Sequence, residues 1–286
     1  MDSETRGRPG HTRPAGSGSY HGGVSIIYVP YHLEEHLPDL NAPLPEDLAV
    51  TEVSARLRPE DDVWARLCVI YEAVADAVAS QARARAGTGS MVPVVSGDCT
   101  MAIGVAAGLQ RAGIDPAIVW FDAHGDVQTM ETTSSGYLGG MAVRFLLGYR
   151  ADLIAGPLGL RPPSEERVVL VDARDLDPPE VDYLATARVK RLPVGELTPG
   201  DLPDGPLLVN LDVDVIDPED LPGLRYPASG GPALDSVVRA ARTVMETGRV
   251  AALNIACTWH PGRPDSDGVR ERLLSTLLDP EYHSSS

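Results

Sequence analysis

The sequence predicts an α/β protein of three layers, α-β-α, with helices on both sides of a central, mostly parallel sheet. Three observations point there. Short apolar runs recur at 25–30, 91–95, 117–121, 167–171, 207–211 and 250–255, each the length of a buried strand. Between several of them lie stretches whose apolar residues repeat at helical spacing. Acidic residues gather just past the carboxyl ends of two runs, where a parallel sheet keeps its ligand chemistry.

The first helix is the plainest element. Val63, Leu67, Ile70, Val74 and Val78 follow at spacings of four, three, four and four, which lines one face with apolar side chains. Further helices are expected at 100–111, 138–149, 233–247 and 269–278, with Gly113-Ile114-Asp115-Pro116 and Gly248 as stop signals after two of them. The Pro-rich pieces 160–164 and 198–206 read as surface loops, and no repeat interrupts the chain. With 286 residues and 43% hydrophobic content, one domain over 24–283 is expected, after a disordered lead-in at 1–23 and before a frayed Ser284-Ser285-Ser286 end.

A formal net charge of -17 argues against nucleic acid or an anionic membrane as partner, since both call for basic patches. The first 23 residues hold no apolar stretch of the kind a signal peptide needs. Cys68, Cys99 and Cys257 are too few and too scattered for a disulfide framework or a zinc ribbon, so a reducing, cytoplasmic setting is expected.

Asp122, His124 and Asp126 follow the run Ala-Ile-Val-Trp-Phe; Asp212 and Asp214 follow Leu-Leu-Val-Asn-Leu. In extended chain, side chains two apart share a face, so the two clusters can converge as halves of one site. Four carboxylates and an imidazole exceed what one ion needs and suit a pair of divalent cations with bridging carboxylates. Without cations, so many ionisable groups at the end of a buried sheet would be costly. Asp217, before Pro218, reads as a turn residue instead.

Three blocks, Ser96-Gly97-Asp98-Cys99-Thr100, Trp120 through Asp126, and Asn210 through Pro218, resemble in order and spacing the signature blocks of the arginase (ureohydrolase) superfamily; the likeness runs over 92–261. The resemblance implies a three-layer α/β fold, two Mn2+ ions that activate water for attack on a guanidino carbon, and a small-molecule guanidino amino acid as substrate. Carried over by position, Asp122 and Asp212 bridge the ions, Asp126 completes one shell, and His124 with Asp214 the other. Asp126 is also the implied proton donor to the leaving amine. Ser135, Asp177 and Glu180 match substrate contacts of the family, with the acidic pair toward the α-amino group, and Gln128 stands where arginases use asparagine. The long carboxyl-terminal extension of trimeric arginases has no counterpart after the last expected helix, which favours a monomer.

Three departures stand out. Cys99 replaces the histidine ligand that ends the first block, and its place in an otherwise intact block makes it a metal ligand here. A thiolate is an unusual partner for manganese and would also suit zinc or iron. Gly139 stands where arginases carry the histidine thought to shuttle protons, which removes a general acid. Cys257 aligns with a glutamate that faces the guanidinium, and a neutral thiol does not pair a permanent cation. These losses penalise arginine. An N-hydroxylated guanidine is a weaker base and suffers less, so the expected reaction is N-omega-hydroxy-L-arginine to hydroxyurea and L-ornithine. A plain arginase, an agmatinase-like enzyme and a metal-binding pseudoenzyme stay open as alternatives.

Overall fold

The computed structural model describes residues 25–279 apart from Pro264 and Ser266. The expected lead-in and serine end lie outside the described residues. In chain order the strands are β1 (Ser25–Val29), β2 (Tyr31–His32), β3 (Glu35–His36), β4 (Ala49–Glu52), β5 (Val92–Ser96), β6 (Ala117–His124), β7 (Val168–Asp175), β8 (Lys190–Leu192), β9 (Leu207–Asp212) and β10 (Val250–Ala256). The helices are α1 (Val63–Ala84), α2 (Met101–Arg111), α3 (Ala142–Leu146), α4 (Ala155–Leu158), α5 (Pro178–Leu184), α6 (Leu234–Met245) and α7 (Val269–Leu277).

Eight strands form one sheet in the order β4-β1-β5-β10-β9-β6-β7-β8, every neighbour parallel. All six expected strands are present. The edge strands β4 and β8 are additional; β4 is exposed throughout and β8 has only three residues, so neither carries a strong apolar signal.

Burial on both faces explains why the central strands read as unbroken apolar runs. Ile27, Val94, Ile118, Trp120 and Leu208 face one core, with α1 and α2 over them; Ile26, Val95, Val119, Phe121 and Val209 face the other, with α6 and α7. The α-β-α layering is as expected. No helix among the described residues is long and apolar enough to cross a membrane.

The helix α1 begins at Asp62, whose carboxylate accepts a hydrogen bond from Ala65 N at 2.8 Å, and buries Leu67, Ile70, Val74 and Val78. The expected helix at 138–149 is reduced to a 3-10 turn at Gly139–Met141 and the five-residue α3. Its start is held by Asp126 O, which accepts from Val143 N, and Gly148 at φ 92° ends the segment. Tertiary capping has overridden a continuous helical pattern.

Two glycines let α2 lie directly on α1. A Cβ at Gly108 would fall 2.6 Å from Ala75 O and 2.7 Å from Val78 Cβ; one at Gly104 would fall 2.7 Å from Tyr71 O. Gly108→Ala should therefore destabilise the fold by about 1–3 kcal/mol through overpacking. Urea unfolding checks this, and an unchanged midpoint would contradict so close a helix contact.

Candidate metal centre

The carboxyl ends of β5, β6 and β9 meet at one cavity of about 520 Å³. Asp122 and His124 close β6, and Asp212 is the last residue of β9, the strand paired beside it. Asp214 lies one turn on, in the 3-10 segment Val213–Val215. Cys99 stands in the loop from β5 into α2. Strand alternation accounts for Asp122, His124 and Asp212 only. Asp126 arrives by a sharp left-handed turn, at φ 53°. A non-glycine residue rarely adopts that conformation except where the surroundings enforce it, as at functional sites.

Ligand atoms of Cys99, Asp122 and Asp126 lie within 4.8 Å of one another, and so do those of Asp122, His124 and Asp214. Asp122 belongs to both triads. Hard oxygen donors with one imidazole fit manganese, whereas a thiolate also suits zinc or iron. Asp212 lines the same cavity but stands outside both triads. Its Oδ1 accepts from Asp214 N at 3.0 Å and from the Thr258 hydroxyl, so the side chain ties β9, its following turn and β10 together at the site.

The electrostatics call for cations. Burial and the charge of Asp122 push the carboxyl of Asp126 well above the usual range; burial and Asp214 do the same to Asp212. The carboxyl of Asp214 is raised by burial and Asp122. The Cys99 thiol is also pushed up, by burial and then by Asp126, to which Sγ donates at 3.3 Å. For His124, burial works to lower the pKa, but hydrogen bonds to Asp122 and Asp214, at 3.3 and 3.2 Å, hold it at about 12. A metal ion bound there would supply positive charge in the same place.

The other expected site residues are partly gathered here. Gln128, Ser135, Asp177 and Glu180 all line the cavity. Gln128 Nε2 donates to Asp177 Oδ2 at 2.9 Å, which fixes the acidic rim. Glu180 is buried and accepts from Val127 N and Asp177 N, the second closing a capping box at the start of α5. It supports the rim as well as lining it. Asp217 accepts from Glu219 N and Gly231 N, a turn role as expected.

Cys257 is placed differently from the alignment. It follows β10 on the face turned to the second core and is absent from the cavity wall; Thr258, one residue on, lines the cavity instead. A register shift of one residue reverses which side chain faces the site.

Three further residues had no sequence signal. Tyr137 and Tyr226 line the cavity. Arg174, at the end of β7, pairs with Asp172 and donates to Val215 O at 3.0 Å and Ala228 O at 2.7 Å, anchoring the loop that carries Asp214. Its strand is bent there, with Asp172 and Ala173 at φ 89° and 50°.

Comparison with known proteins decides the family. A model of the arginase family matches residues 10–259. The chain belongs to the arginase family. Members of this family are metal-dependent amidinohydrolases. An arginase of Eremothecium gossypii is 31% identical over 223 residues, 72% of this chain, and the match spans about half, 53%, of that relative's length. The N(omega)-hydroxy-L-arginine amidinohydrolase of Streptomyces lavendulae is 29% identical over 194 residues, 66% of this chain and 67% of its own. The crystal structure of Bacillus subtilis arginase, 22% identical, superposes with a TM-score of 0.70 over 90% of this arginase-family chain and 98% of the other. The shared fold includes the eight-stranded parallel sheet.

The proton load of the site sets a pH dependence. The carboxyls of Asp126, Asp212 and Asp214, the Cys99 thiol and the His124 imidazolium all hold protons to higher pH than usual, and a metal ion must displace them. Manganese affinity should therefore rise with pH, by about tenfold per unit for each proton released. Calorimetric titration in buffers of different ionisation enthalpy counts those protons. Uptake without proton release would contradict this electrostatic account.

Proposed function

We propose that this chain hydrolyses N-omega-hydroxy-L-arginine to L-ornithine and hydroxyurea, the reaction carried out by the N-omega-hydroxy-L-arginine hydrolase of D-cycloserine biosynthesis. The supporting observation is the composition of the cavity wall. Two triads sharing Asp122 lie at its floor, hydroxyls and carboxylates at its rim, and an aromatic ring above Gly139.

The donor set fits a pair of manganese ions, held by Cys99, Asp122 and Asp126 on one side and by Asp122, His124 and Asp214 on the other, with Asp212 as a further donor. When bound, the ions lower the pKa of water for attack on the guanidino carbon. The chain's own residues do the rest. Asp177, oriented by Gln128, and Glu180 meet the α-amino group, while Ser135 and Thr133 offer hydroxyls to the α-carboxylate. The water oxygen becomes the carbonyl oxygen of hydroxyurea and the bond from that carbon to the ornithine nitrogen breaks. Asp126 takes up the proton that the attacking water gives off and returns it to the leaving amine.

Arginine is the weaker candidate on chemical grounds. Its guanidinium stays charged near neutral pH and calls for a facing carboxylate. Gly139 offers no side chain, Cys257 lies outside the cavity, and Thr258 is engaged with Asp212. The hydroxyl of the N-hydroxylated substrate withdraws electrons, which makes the neutral, more electrophilic form accessible. Manganese-loaded protein should release hydroxyurea from N-omega-hydroxy-L-arginine at least about tenfold faster than urea from L-arginine, in kcat/KM. Faster release of urea from L-arginine would sink the proposal.

A further inference from the structure

Three rings from three separate segments meet above the metal-binding cluster. The His32 and Tyr137 centroids are 5.9 Å apart at 16°, those of Tyr137 and Tyr226 4.9 Å apart at 40°, and those of His32 and Tyr226 6.3 Å apart at 26°. The Tyr137 hydroxyl donates to Asp98 Oδ2 at 3.3 Å and lies 3.3 Å from His32 Nε2. His32 Nδ1 is itself 3.1 Å from Asp98 Oδ2, and Asp98 is fully buried. Asp98 Oδ1 accepts from Thr100 N at 2.7 Å, within the same loop that carries Cys99. The ring of Tyr137 is thus clamped at its face and at its tip.

This clamp explains why residue 139 is glycine. A Cβ on Gly139 would fall among Cε1, Cζ and the hydroxyl of Tyr137, far inside van der Waals contact. The φ of Gly139 is not in the left-handed region, so the backbone alone does not call for glycine there. Moving the ring aside would break its contacts with Asp98 and His32 and part it from Tyr226. The ring and a side chain at 139 exclude each other.

We propose that Tyr137 is the specificity-determining residue of this site: its ring occupies the space of any side chain at 139, keeps a protonatable group from that position, and with Tyr226 gives the cavity an aromatic wall. Against such a wall a flat, weakly basic guanidine sheds its water at low cost. A permanently charged guanidinium gains a cation–π contact there, but that replaces only part of its lost hydration when no carboxylate faces it. The wall therefore selects the N-hydroxylated guanidine over arginine. This inference deepens the reading given under Proposed function and rests on it.

The test is a substitution cycle with kinetics, binding and unfolding measured on each manganese-loaded variant. Tyr137→Phe keeps the ring, so the ratio of kcat/KM for N-omega-hydroxy-L-arginine over L-arginine should stay within about threefold of the parent. Tyr137→Ala, or Tyr137→Leu if the alanine variant folds poorly, should lower that ratio at least about tenfold, chiefly through a higher KM for the hydroxylated substrate. Gly139→Ala alone should lower the unfolding midpoint, and adding Tyr137→Ala should remove that loss. A ratio unmoved by both Tyr137→Ala and Tyr137→Leu, with metal content unchanged, would overturn the specificity role. So would Gly139→Ala unfolding like the parent. If the parent turns over neither amino acid, the reading of function fails by itself. Calorimetric affinities for the two amino acids then supply the same ratio, and the unfolding cycle still decides whether ring and side chain compete.

Discussion

Mutual repulsion among buried acidic groups governs this molecule. Asp122, Asp126, Asp212 and Asp214 are all nearly inaccessible to water and crowd one end of the sheet together with the Cys99 thiol. Such groups cannot all ionise there without positive charge among them. The protein's own supply is small: one imidazole, His124, bonded to two of the aspartates. Two divalent ions would relieve the arrangement in a way that a single proton on His124 cannot, and Asp122, common to both ligand triads, is where the two ions would share charge. The site is built to be completed by metal.

The fold serves this constraint. Parallel strands buried on both faces bring their carboxyl ends to one edge, and β6 and β9 lie side by side, so two chain segments far apart in sequence deliver aspartates to the same place. Exact placement then comes from departures from regular structure. Asp126 depends on a left-handed turn whose carbonyl also caps α3, and the bent end of β7 aims Arg174 at the loop that holds Asp214. Strain at these points is sustained by the hydrogen bonds around them.

How much could be read from the chain follows the same division. The central strands and α1 were legible because continuous burial leaves continuous apolar runs and helical periodicity leaves a stripe. The acidic cluster was legible because so many acidic residues after two strands have few other uses. What escaped depends on geometry that pattern does not encode. The segment 138–149 reads as helix, yet tertiary capping by Asp126 shortens it. Cys257 aligns with the site, yet just past the end of β10 it is Thr258 that lines the cavity. Tyr137, Tyr226 and His32 come together from three segments far apart in sequence, and nothing in their spacing announces it. Gly139 reads in the sequence as a lost histidine; in the structure the ring of Tyr137 fills that space.

The most direct measurement is the metal content of the parent protein and of Asp122→Asn after saturation with manganese and removal of free metal. The parent is expected to retain two ions per chain. Because Asp122 is a donor in both triads, its loss should strip both ions, with affinity falling by more than the roughly 10–100-fold typical of losing an outer-shell partner. Two ions kept tightly by Asp122→Asn, or no ion bound by the parent, would contradict the account of the shared carboxylate.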